Sequence, residues 1–313
     1  MDTWVLDVLA CPHDGGRLAI ARGGHTRGGG LEVGELACAR CHVRYPVVGG
    51  VPLAVPDPHA WVAAYREAVL AALSEVGRAT RRAVELIGEY AAGAHAVEAR
   101  RFADDWVPTE LVPQPADAIT IVDHGSPARA FAHFCELARG AGPQEVLMQL
   151  LADHAWGTTV EFGSGAGTLA RAIRRRARRY LACDLSLRAV FRTLDAARRT
   201  RGSLLAGAVV DADCVQLRAA TCQTIVAAQL VDLLDRPGDL LHAAASALAD
   251  GGALAVITPA PDLGLGAGDD ALARAIEETG LRIVAERDGV PWIREHGPRH
   301  FEVYFAAAMV ASK

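Results

Sequence analysis

Short apolar runs alternate with longer amphipathic segments through the second half of the chain. Compact apolar runs of this kind are typical of buried strands. Strands that alternate with helices predict an α/β fold in which helices cover both faces of a parallel sheet. The predicted strands begin at Thr158 and are TTVEF, RRYLACD, LLAGAVVD, TIVAAQ, ALAVITP, LRIVAE and FEVYFAAAMVA.

The first half of the chain has a different pattern. It begins with glycine-rich, β-like runs that carry turn signals at GG and GGG and end at VPDP. Asp57 caps a helix that is predicted to run from Pro58 to a stop at Gly93. Two further helices are predicted to begin at Ser126-Pro127 and at Pro143. The pattern divides the chain into a β module at 1–56, a helical connector at 57–154 and an α/β domain at 155–313.

Composition narrows the function classes. The chain has 313 residues, a net charge of −5 and a pI of about 6.1, which argues against a strongly basic nucleic-acid-binding surface. No apolar run is long enough to span a membrane, and MDTWVLDVLACP does not look like a secretory signal. Three of the seven cysteines cluster near the N-terminus, which favours a metal site in a reducing cytoplasm over a disulfide framework.

The stretch EFGSGAG joins the first predicted strand of the α/β domain to a helix. A dinucleotide-binding fingerprint would need a glycine five residues after Gly163, where Thr168 stands. The acid Glu161 also opposes a pyrophosphate, because the start of the following helix would hold the phosphate charge nearby. The loop therefore suits a ligand that carries positive charge and no phosphate, and S-adenosylmethionine is such a ligand.

This stretch resembles the Asp/Glu-x-Gly-x-Gly-x-Gly motif of class I, seven-stranded S-adenosylmethionine-dependent methyltransferases. YLACDLS supplies Asp184 at the end of the second strand, where a carboxylate can accept from both ribose hydroxyls. AVVDADCVQL offers Asp211 and Asp213 near the adenine, and Asp211-Ala212 matches the family's Asp-Ala pair better. At the fourth strand Cys222-Gln223 replaces the common Phe-Asp, whereas ALADGGALAVITP matches the fifth strand closely.

The resemblance covers about 155–313 and implies a doubly wound, Rossmann-like seven-stranded sheet. The glycines could instead serve only a tight turn and close helix packing, but that does not account for Glu161 and Asp184 together. The cofactor contacts that the resemblance implies are Glu161, Gly163, Ser164, Gly165, Gly167, Asp184, Leu185, Asp211, Ala212 and Gln229.

The β module resembles a small zinc-ribbon-like family whose best-known members are activator subunits of methyltransferases. The shared motifs are Cys11-Pro12, Cys38-x-x-Cys41, Tyr45-Pro46 and GVP. Asp14 stands where the second cysteine is expected, and a carboxylate can ligate zinc. A histidine, His13 or His42, could substitute, or the module could be metal-free. The resemblance implies a zinc site and docking on the methyltransferase domain of the same chain, and the expected ligands are Cys11, Asp14, Cys38 and Cys41.

The last predicted hairpin, VPWIREHGPRHFEVYF, is a candidate for the substrate side. It offers His296 or His300 as a base, because a neutral histidine is the default proton acceptor at neutral pH. A polar surface hairpin is the alternative. Asp123 and His124 could form a lid over the cofactor. The expected substrate contacts are His124, Asp232, Trp292, Arg294 and Arg299.

The helix after the glycine loop carries RAIRRRARR. Its arginines are predicted to share one helix face, which suits either solvent or a phosphate or RNA contact. With an acidic chain overall, a small-molecule or peptide-like metabolite is the favoured substrate, and nucleic acid is disfavoured. The alternatives are a tRNA or rRNA methyltransferase and a non-catalytic protein that binds the cofactor or braces a partner. These arginines are Arg171, Arg174, Arg175, Arg178 and Arg179.

Overall fold

The computed structural model describes residues 1–27, 30–93, 119–122, 142–259, 270–297 and 300–313. Side chains are described for the same residues except 22, 24–27, 119–122, 293–297 and 300–303. No helix in the described ranges is both long and apolar enough to cross a bilayer. The predicted helix at Ser126-Pro127 lies outside these ranges.

Seven helices are found in the described part of the chain. Asp57 caps the first with its carboxylate, Thr80 caps the second with its hydroxyl, and Ser186 caps the fifth. Two short 3-10 turns accompany them, at Thr3–Asp7 and Val231–Leu233. The helices are α1 Pro58–Glu75, α2 Arg81–Ala92, α3 Pro143–Leu150, α4 Ala170–Arg176, α5 Leu187–Arg198, α6 Pro237–Ala247 and α7 Ala271–Glu278.

The described strands form one sheet. Its order is β1-β2-β3-β4-β8-β7-β6-β9-β10-β12-β11, and β5 pairs with β12 off this path. The strands are β1 Leu18–Arg27, β2 Gly30–Cys38, β3 Arg44–Val48, β4 Val51–Ala54, β5 Ile119–Val122, β6 Thr158–Phe162, β7 Arg179–Asp184, β8 Leu204–Val210, β9 Cys222–Ala228, β10 Leu248–Thr258, β11 Arg282–Gly297 and β12 His300–Ser312.

The centre of the sheet is parallel, as the alternating pattern predicts. The strands β8, β7, β6, β9 and β10 pair in parallel with their neighbours, whereas β12 is antiparallel to both β10 and β11. The antiparallel strand has a simple cause: β11 and β12 are joined directly, and so short a connection cannot cross over the sheet. The predicted seven strands are all present, and the sheet is larger because the N-terminal strands β1–β4 continue it and β5 pairs with β12.

Two apolar layers cover the sheet. One layer packs α6, α7 and the N-terminal 3-10 turn against inward-facing residues such as Val160 and Leu181. The other layer packs α1, α2 and α5 near β8, α4 near β7, and α3 near β10, β11 and β12, with Tyr180 on this side. Because neighbouring strand residues such as Tyr180 and Leu181 face opposite layers, both faces are buried and the strands read as continuous apolar runs.

The N-terminal module is joined to the α/β domain by strand pairing. β4 lies parallel to β8, with Leu53 opposite Val209 and Ala54 opposite Val210. At the module's other side the amide of Ala10 donates to the carbonyl of Gln216 over 3.2 Å, and Arg218 donates back to Val8 over 2.8 Å. The module therefore contributes strands and core residues to the same sheet.

Two helix predictions are wrong in detail. The single helix predicted between Pro58 and Gly93 is two helices, because Gly77 adopts a φ of +66° that ends α1 before Thr80 starts α2. The arginine run does not form one helix face, since α4 ends at Arg176. Arg179 lies instead in β7, where its guanidinium is 3.5 Å from Asp7.

Candidate functional site

The site lies where the strand order of the sheet reverses. β6 is flanked by β7 on one side and β9 on the other, so the chain winds outward in opposite directions from this point. In open α/β sheets, ligands bind in the crevice beyond the carboxyl ends of the two strands at such a point. The glycine loop follows β6 here, and residues 229–232 follow β9.

Two positions of the loop require glycine for different structural reasons. Gly163 has a φ of +66°, and a side chain there would lie 3.2 Å from Leu230 of the neighbouring loop. Gly167 has a φ of +78°, and a Cβ would come within 2.8 Å of the backbone of Thr193 on α5. Because Gly163 has no side chain, Leu230 can approach the loop closely and the crevice stays narrow. Because Gly167 has none, α5 can pack against the loop.

Glu161 is buried and hydrogen-bonded. Its exposed fraction is 2%, and its Oε2 accepts a hydrogen bond from the hydroxyl of Tyr180, which is fully buried on β7. Burial raises the pKa of Glu161 to about 8, although the Tyr180 hydrogen bond opposes the shift and nearby Asp184 adds to it. The carboxyl group is therefore largely protonated at neutral pH, and a cation beside it would favour its ionised form.

Asp184 ties the second strand to the glycine loop. Its Oδ2 accepts from the amide of Gly165 and its Oδ1 accepts from the amide of Ser186, each over 2.9 Å. Burial raises its pKa, and the backbone hydrogen bonds oppose that shift. Each carboxylate oxygen keeps a further acceptor position, so the group can still accept from hydroxyls while its orientation is fixed.

Ser164 fits a loop that holds a polar ligand. Its exposed fraction is 4%, and its Oγ has no hydrogen-bond partner among the described residues. A buried hydroxyl without a hydrogen-bond partner is costly unless a ligand or water pairs with it. The predicted cofactor fits here, because it would bring the polar groups that the loop lacks.

The remaining predicted cofactor contacts lie at the same edge. Asp211 accepts a hydrogen bond from the amide of Asp213, and the Asp213 carboxylate accepts from the amide of Arg236 over 2.8 Å. Asp213 is thus held by the fold, and the less buried Asp211 and Ala212 remain at the crevice. Gln229 has a φ of +55°, which is uncommon for a residue with a side chain and often marks a functional position.

The predicted substrate residues fall into two groups. Asp232 sits just after β9, where Thr258 donates to its Oδ1 over 2.7 Å and burial raises its pKa. Trp292 on β11 packs against Tyr304 of β12 with ring centroids 4.9 Å apart. His124 and Arg299 lie outside the described residues, as does Asp123. The side chains of Arg294, His296 and His300 are also outside the description, and their backbones belong to the β11–β12 hairpin.

A second cluster lies in the N-terminal module. The ligand atoms of Cys11, Asp14, Cys38 and Cys41 all lie within 4.8 Å of one another. The Cys11 and Cys41 sulfurs are 3.6 Å apart, near the edge of about 3.8 Å of a tetrahedron with zinc–sulfur bonds of about 2.3 Å. In the described part of the chain this cluster includes no histidine, so neither proposed substitute, His13 nor His42, joins it.

The donor set and its surroundings fit a structural zinc site. Three thiols and one carboxylate are acceptable ligands for Zn²⁺, and the amide of Arg40 lies 3.3 Å from the Cys38 sulfur as a supporting donor. Tyr45 is the second supporting group, with its hydroxyl 2.9 Å from the Cys11 sulfur.

Sequence reasoning missed two residues that organise the cofactor side. Tyr180 reads as an ordinary strand residue, although a buried tyrosine needs a polar partner and Glu161 is on the neighbouring strand. Thr193 donates from its hydroxyl to the carbonyls of Ser164 and Gly165, each over 3.2 Å. Nothing in the spacing of α5 distinguishes Thr193 from other small helical residues.

Two family models match the chain. A methyltransferase domain matches residues 133–307, and a Trm112p-like protein matches residues 3–50. No curated protein matches.

Several solved structures are similar at low identity. The N-methyltransferase NodS from Bradyrhizobium japonicum WM9 with S-adenosyl-L-homocysteine is 18% identical, with a TM-score of 0.44 over 60% of this chain and 99% of that one. A complex of the Haloferax volcanii Trm112 methyltransferase activator with a candidate methyltransferase is 17% identical, with a TM-score of 0.42 over 59% and 93%. An S-adenosylmethionine-dependent methyltransferase from Mesorhizobium loti is 15% identical, with a TM-score of 0.42 over 54% and 96%. At these sequence identities and TM-scores, the similar structures do not identify a substrate for this chain.

Proposed function

Because the chain belongs to the methyltransferase family whose domain model it matches over residues 133–307, we propose that it methylates a small-molecule or peptide-like metabolite. The family match confirms the predicted S-adenosylmethionine-dependent methyltransferase and its Rossmann-like fold. The match at residues 3–50 confirms that the N-terminal module is activator-like.

One observation carries the assignment of the cofactor side. The glycine loop lies between the buried Glu161 and the partly buried Asp184, and its own Ser164 hydroxyl is unpaired among the described residues. The Glu161 carboxyl group is compatible with a positively charged ligand and less so with a phosphate. The fixed Asp184 carboxylate can accept hydrogen bonds from a pair of neighbouring hydroxyls. Asp211 and Ala212 would hold the far end of the ligand, and Gln229 and Leu185 would close its sides.

Little chemistry is left for the protein beyond alignment. When bound, S-adenosylmethionine supplies a methyl group on a sulfonium that is already a good leaving group. The chain has to place a nucleophile in line with that methyl group and keep water away. Asp232 stands at the edge where a substrate would approach, and its raised pKa makes it a better proton acceptor than an exposed carboxylate. His296 and His300 are the alternative bases, and Trp292 is proposed as a wall.

We propose that Cys11, Asp14, Cys38 and Cys41 hold one structural zinc ion. The support is the mutual closeness of the four ligand atoms and the second layer of donors from Arg40 and Tyr45. With four protein ligands the site would be closed and would serve folding rather than catalysis.

The N-terminal module is proposed to brace the methyltransferase domain from within the chain. Its support is the β4–β8 pairing and the shared core, in which module residues such as Trp4 and Leu9 pack with Leu217 of the α/β domain. An activator that acts in this way would fix β8, which leads to Asp211. We propose on the same grounds that the chain divides into the N-terminal module at 1–56, the helical connector at 57–154 and the methyltransferase domain at 155–313. The connector would then serve as a lid over the substrate.

A cytoplasmic location is proposed from the cysteines. The six cysteines in the described part of the chain are all free thiols. Buried free thiols such as Cys183 and Cys222 suit a reducing compartment.

Methylation of tRNA or rRNA is the second candidate. It is favoured by the Trm112p-like module and by the arginine-rich stretch that follows the glycine loop. A non-catalytic, cofactor-binding protein is the third, and it predicts binding without turnover.

The test supplies S-adenosylmethionine with a tritiated methyl group together with one of three substrate pools. The pools are a small-metabolite fraction, a peptide fraction and total RNA from the same cells. The proposal predicts transfer of label into the metabolite or peptide pool. Label in RNA alone would establish the second candidate, and cofactor binding without transfer in any pool would favour the third.

A further inference from the structure

A cleft of about 360 Å³ lies between α1, α5 and the glycine loop. Its apolar lining residues include Phe191, Val76 and Ala166, the last of which belongs to the glycine loop. Its size is within the range of small-molecule sites. This cleft is not used by the proposed methyl transfer.

Arginines dominate the walls of the cleft. Arg171 comes from α4, Arg188 and Arg192 come from α5, and Arg199 follows α5. Among the described residues that line the cleft, two are acidic, and each already has a partner. The Arg188 guanidinium is 2.9 Å from Glu75, and the Arg199 guanidinium is 2.7 Å from Asp195.

The other two guanidinium groups of the cleft are not paired with these carboxylates. Within the described ranges neither Arg171 nor Arg192 has an ion-pair or hydrogen-bond partner, and both line the same cleft. Two unpaired positive charges facing one concave space would be matched by one ligand of about two negative charges, and a phosphate group carries about −1.5 to −2 at pH 7. Arginine is also the side chain that recognises phosphate with paired N–H groups.

The chain segment that supplies these arginines has a strong net positive charge, which also favours an anionic ligand. Residues 171–201 contain eleven arginines and two acidic residues, a net charge of +9. The rest of the chain has 21 basic and 35 acidic residues, a net charge of −14. The overall charge of −5 therefore conceals one strongly positive segment. Four of its arginines line this cleft, whereas Arg179 pairs with Asp7 elsewhere, and a concave site lined by charges of one sign attracts ligands of the opposite sign.

We infer that the cleft lined by Arg171 and Arg192 is a second ligand site, which binds a phosphate-bearing ligand. The phosphate comes either from a free phosphorylated metabolite or from a nucleic-acid backbone. The ligand lies against Ala166 of the glycine loop, and Thr193 of α5 holds the carbonyls of the same loop. The site is independent of methyl transfer, so it can be tested without a known methyl acceptor.

The test is calorimetric titration of the full chain with inorganic pyrophosphate. The cleft variant combines Arg171→Gln with Arg192→Gln. The matched control combines Arg175→Gln with Arg178→Gln, which are exposed arginines of the same segment that do not line the cleft. Both pairs remove two positive charges, so they separate a local site from general attraction. Thermal unfolding of each variant checks that the fold is kept.

We expect pyrophosphate to bind the wild-type chain, the cleft variant to bind at least about tenfold more weakly, and the control to stay within about twofold. A single-stranded twelve-nucleotide polyuridine is the second probe. Tighter polyuridine binding that also needs Arg175 and Arg178 identifies a nucleic-acid backbone, whereas pyrophosphate binding without it identifies a free metabolite. Equal loss of pyrophosphate affinity in the cleft variant and the control, polyuridine binding that does not need Arg171 and Arg192, or no binding of either probe to the wild type overturns the inference.

Discussion

The Tyr180 hydroxyl donates a hydrogen bond to the Oε2 of Glu161, and both side chains are buried on adjacent strands. This pair fixes an acid beside the glycine loop, and no basic side chain in the described part of the chain pairs with it. Burial raises the pKa of Glu161 to about 8. The cofactor-free protein therefore holds a proton that a positively charged ligand would displace.

Glu161 should make the cofactor-free protein less stable as pH rises. The folded pKa of about 8 exceeds the ordinary value of 4.5, so between these values the folded chain keeps a proton that the unfolded chain has lost. The stability is fully present below pH 4.5 and falls toward pH 8, by roughly 1 kcal/mol per pH unit.

Urea unfolding of the wild type and of Glu161→Gln between pH 5 and pH 8 measures this effect. The glutamine variant should lose the pH dependence that belongs to position 161, whereas Glu286→Gln, at an exposed glutamate, should keep it. Parallel curves for wild type and Glu161→Gln would show that Glu161 is ionised throughout.

Asp184→Ala should weaken binding of S-adenosylhomocysteine by about 1.5–3 kcal/mol, the range for hydrogen bonds to charged groups. The variant loses the acceptor for ligand hydroxyls and also frees the amides of Gly165 and Ser186. Calorimetry gives the affinity, with Asp250→Ala as a control at an exposed carboxylate. An unchanged affinity would place the ribose elsewhere.

The metal prediction concerns occupancy. Purified protein should contain one zinc per chain by elemental analysis, and Cys38→Ser should lower that value because it removes a thiolate ligand. Asp14→Cys should bind zinc more tightly and resist chelators longer. Cys214→Ser, outside the cluster, should leave zinc unchanged. Metal-replete protein without zinc would show that the module is metal-free.

The hairpin prediction requires a known substrate. His296→Ala or His300→Ala should lower the single-turnover rate by about 10²–10⁴-fold if that residue is the base, and cofactor affinity should barely change. His242→Ala, at an exposed histidine on α6, is the control. Wild-type rates in both hairpin variants would leave Asp232 as the candidate proton acceptor.

The central sheet could be predicted from sequence because its strands are buried on both faces. Continuous apolar runs such as TTVEF mark such strands directly, and the family motifs gave their connections. The pairing of β4 with β8 could not be predicted, since it joins residues more than 150 positions apart and no local pattern records a strand's distant partner.

Part of the candidate site was also predictable from the sequence. Glu161 and Asp184 stood out because charged residues at the ends of apolar strands need a reason, and the structure places both beside the glycine loop. Tyr180 and the anion-binding cleft were not predictable. The first depends on a contact between strands, and the second on how α1 packs against α5.

The most direct measurement is a calorimetric titration of the metal-replete wild-type chain with S-adenosylmethionine, with S-adenosylhomocysteine and with NAD. Both sulfur compounds should bind and NAD should not, because Thr168 stands where a dinucleotide-binding loop needs its third glycine and because the buried Glu161 is stabilised in its ionised form by a cation but not by a pyrophosphate. S-adenosylmethionine binding near pH 7 should also release a proton, seen as a buffer-dependent heat, because the cation ionises Glu161. NAD binding without S-adenosylmethionine binding would show that the glycine loop holds a dinucleotide instead.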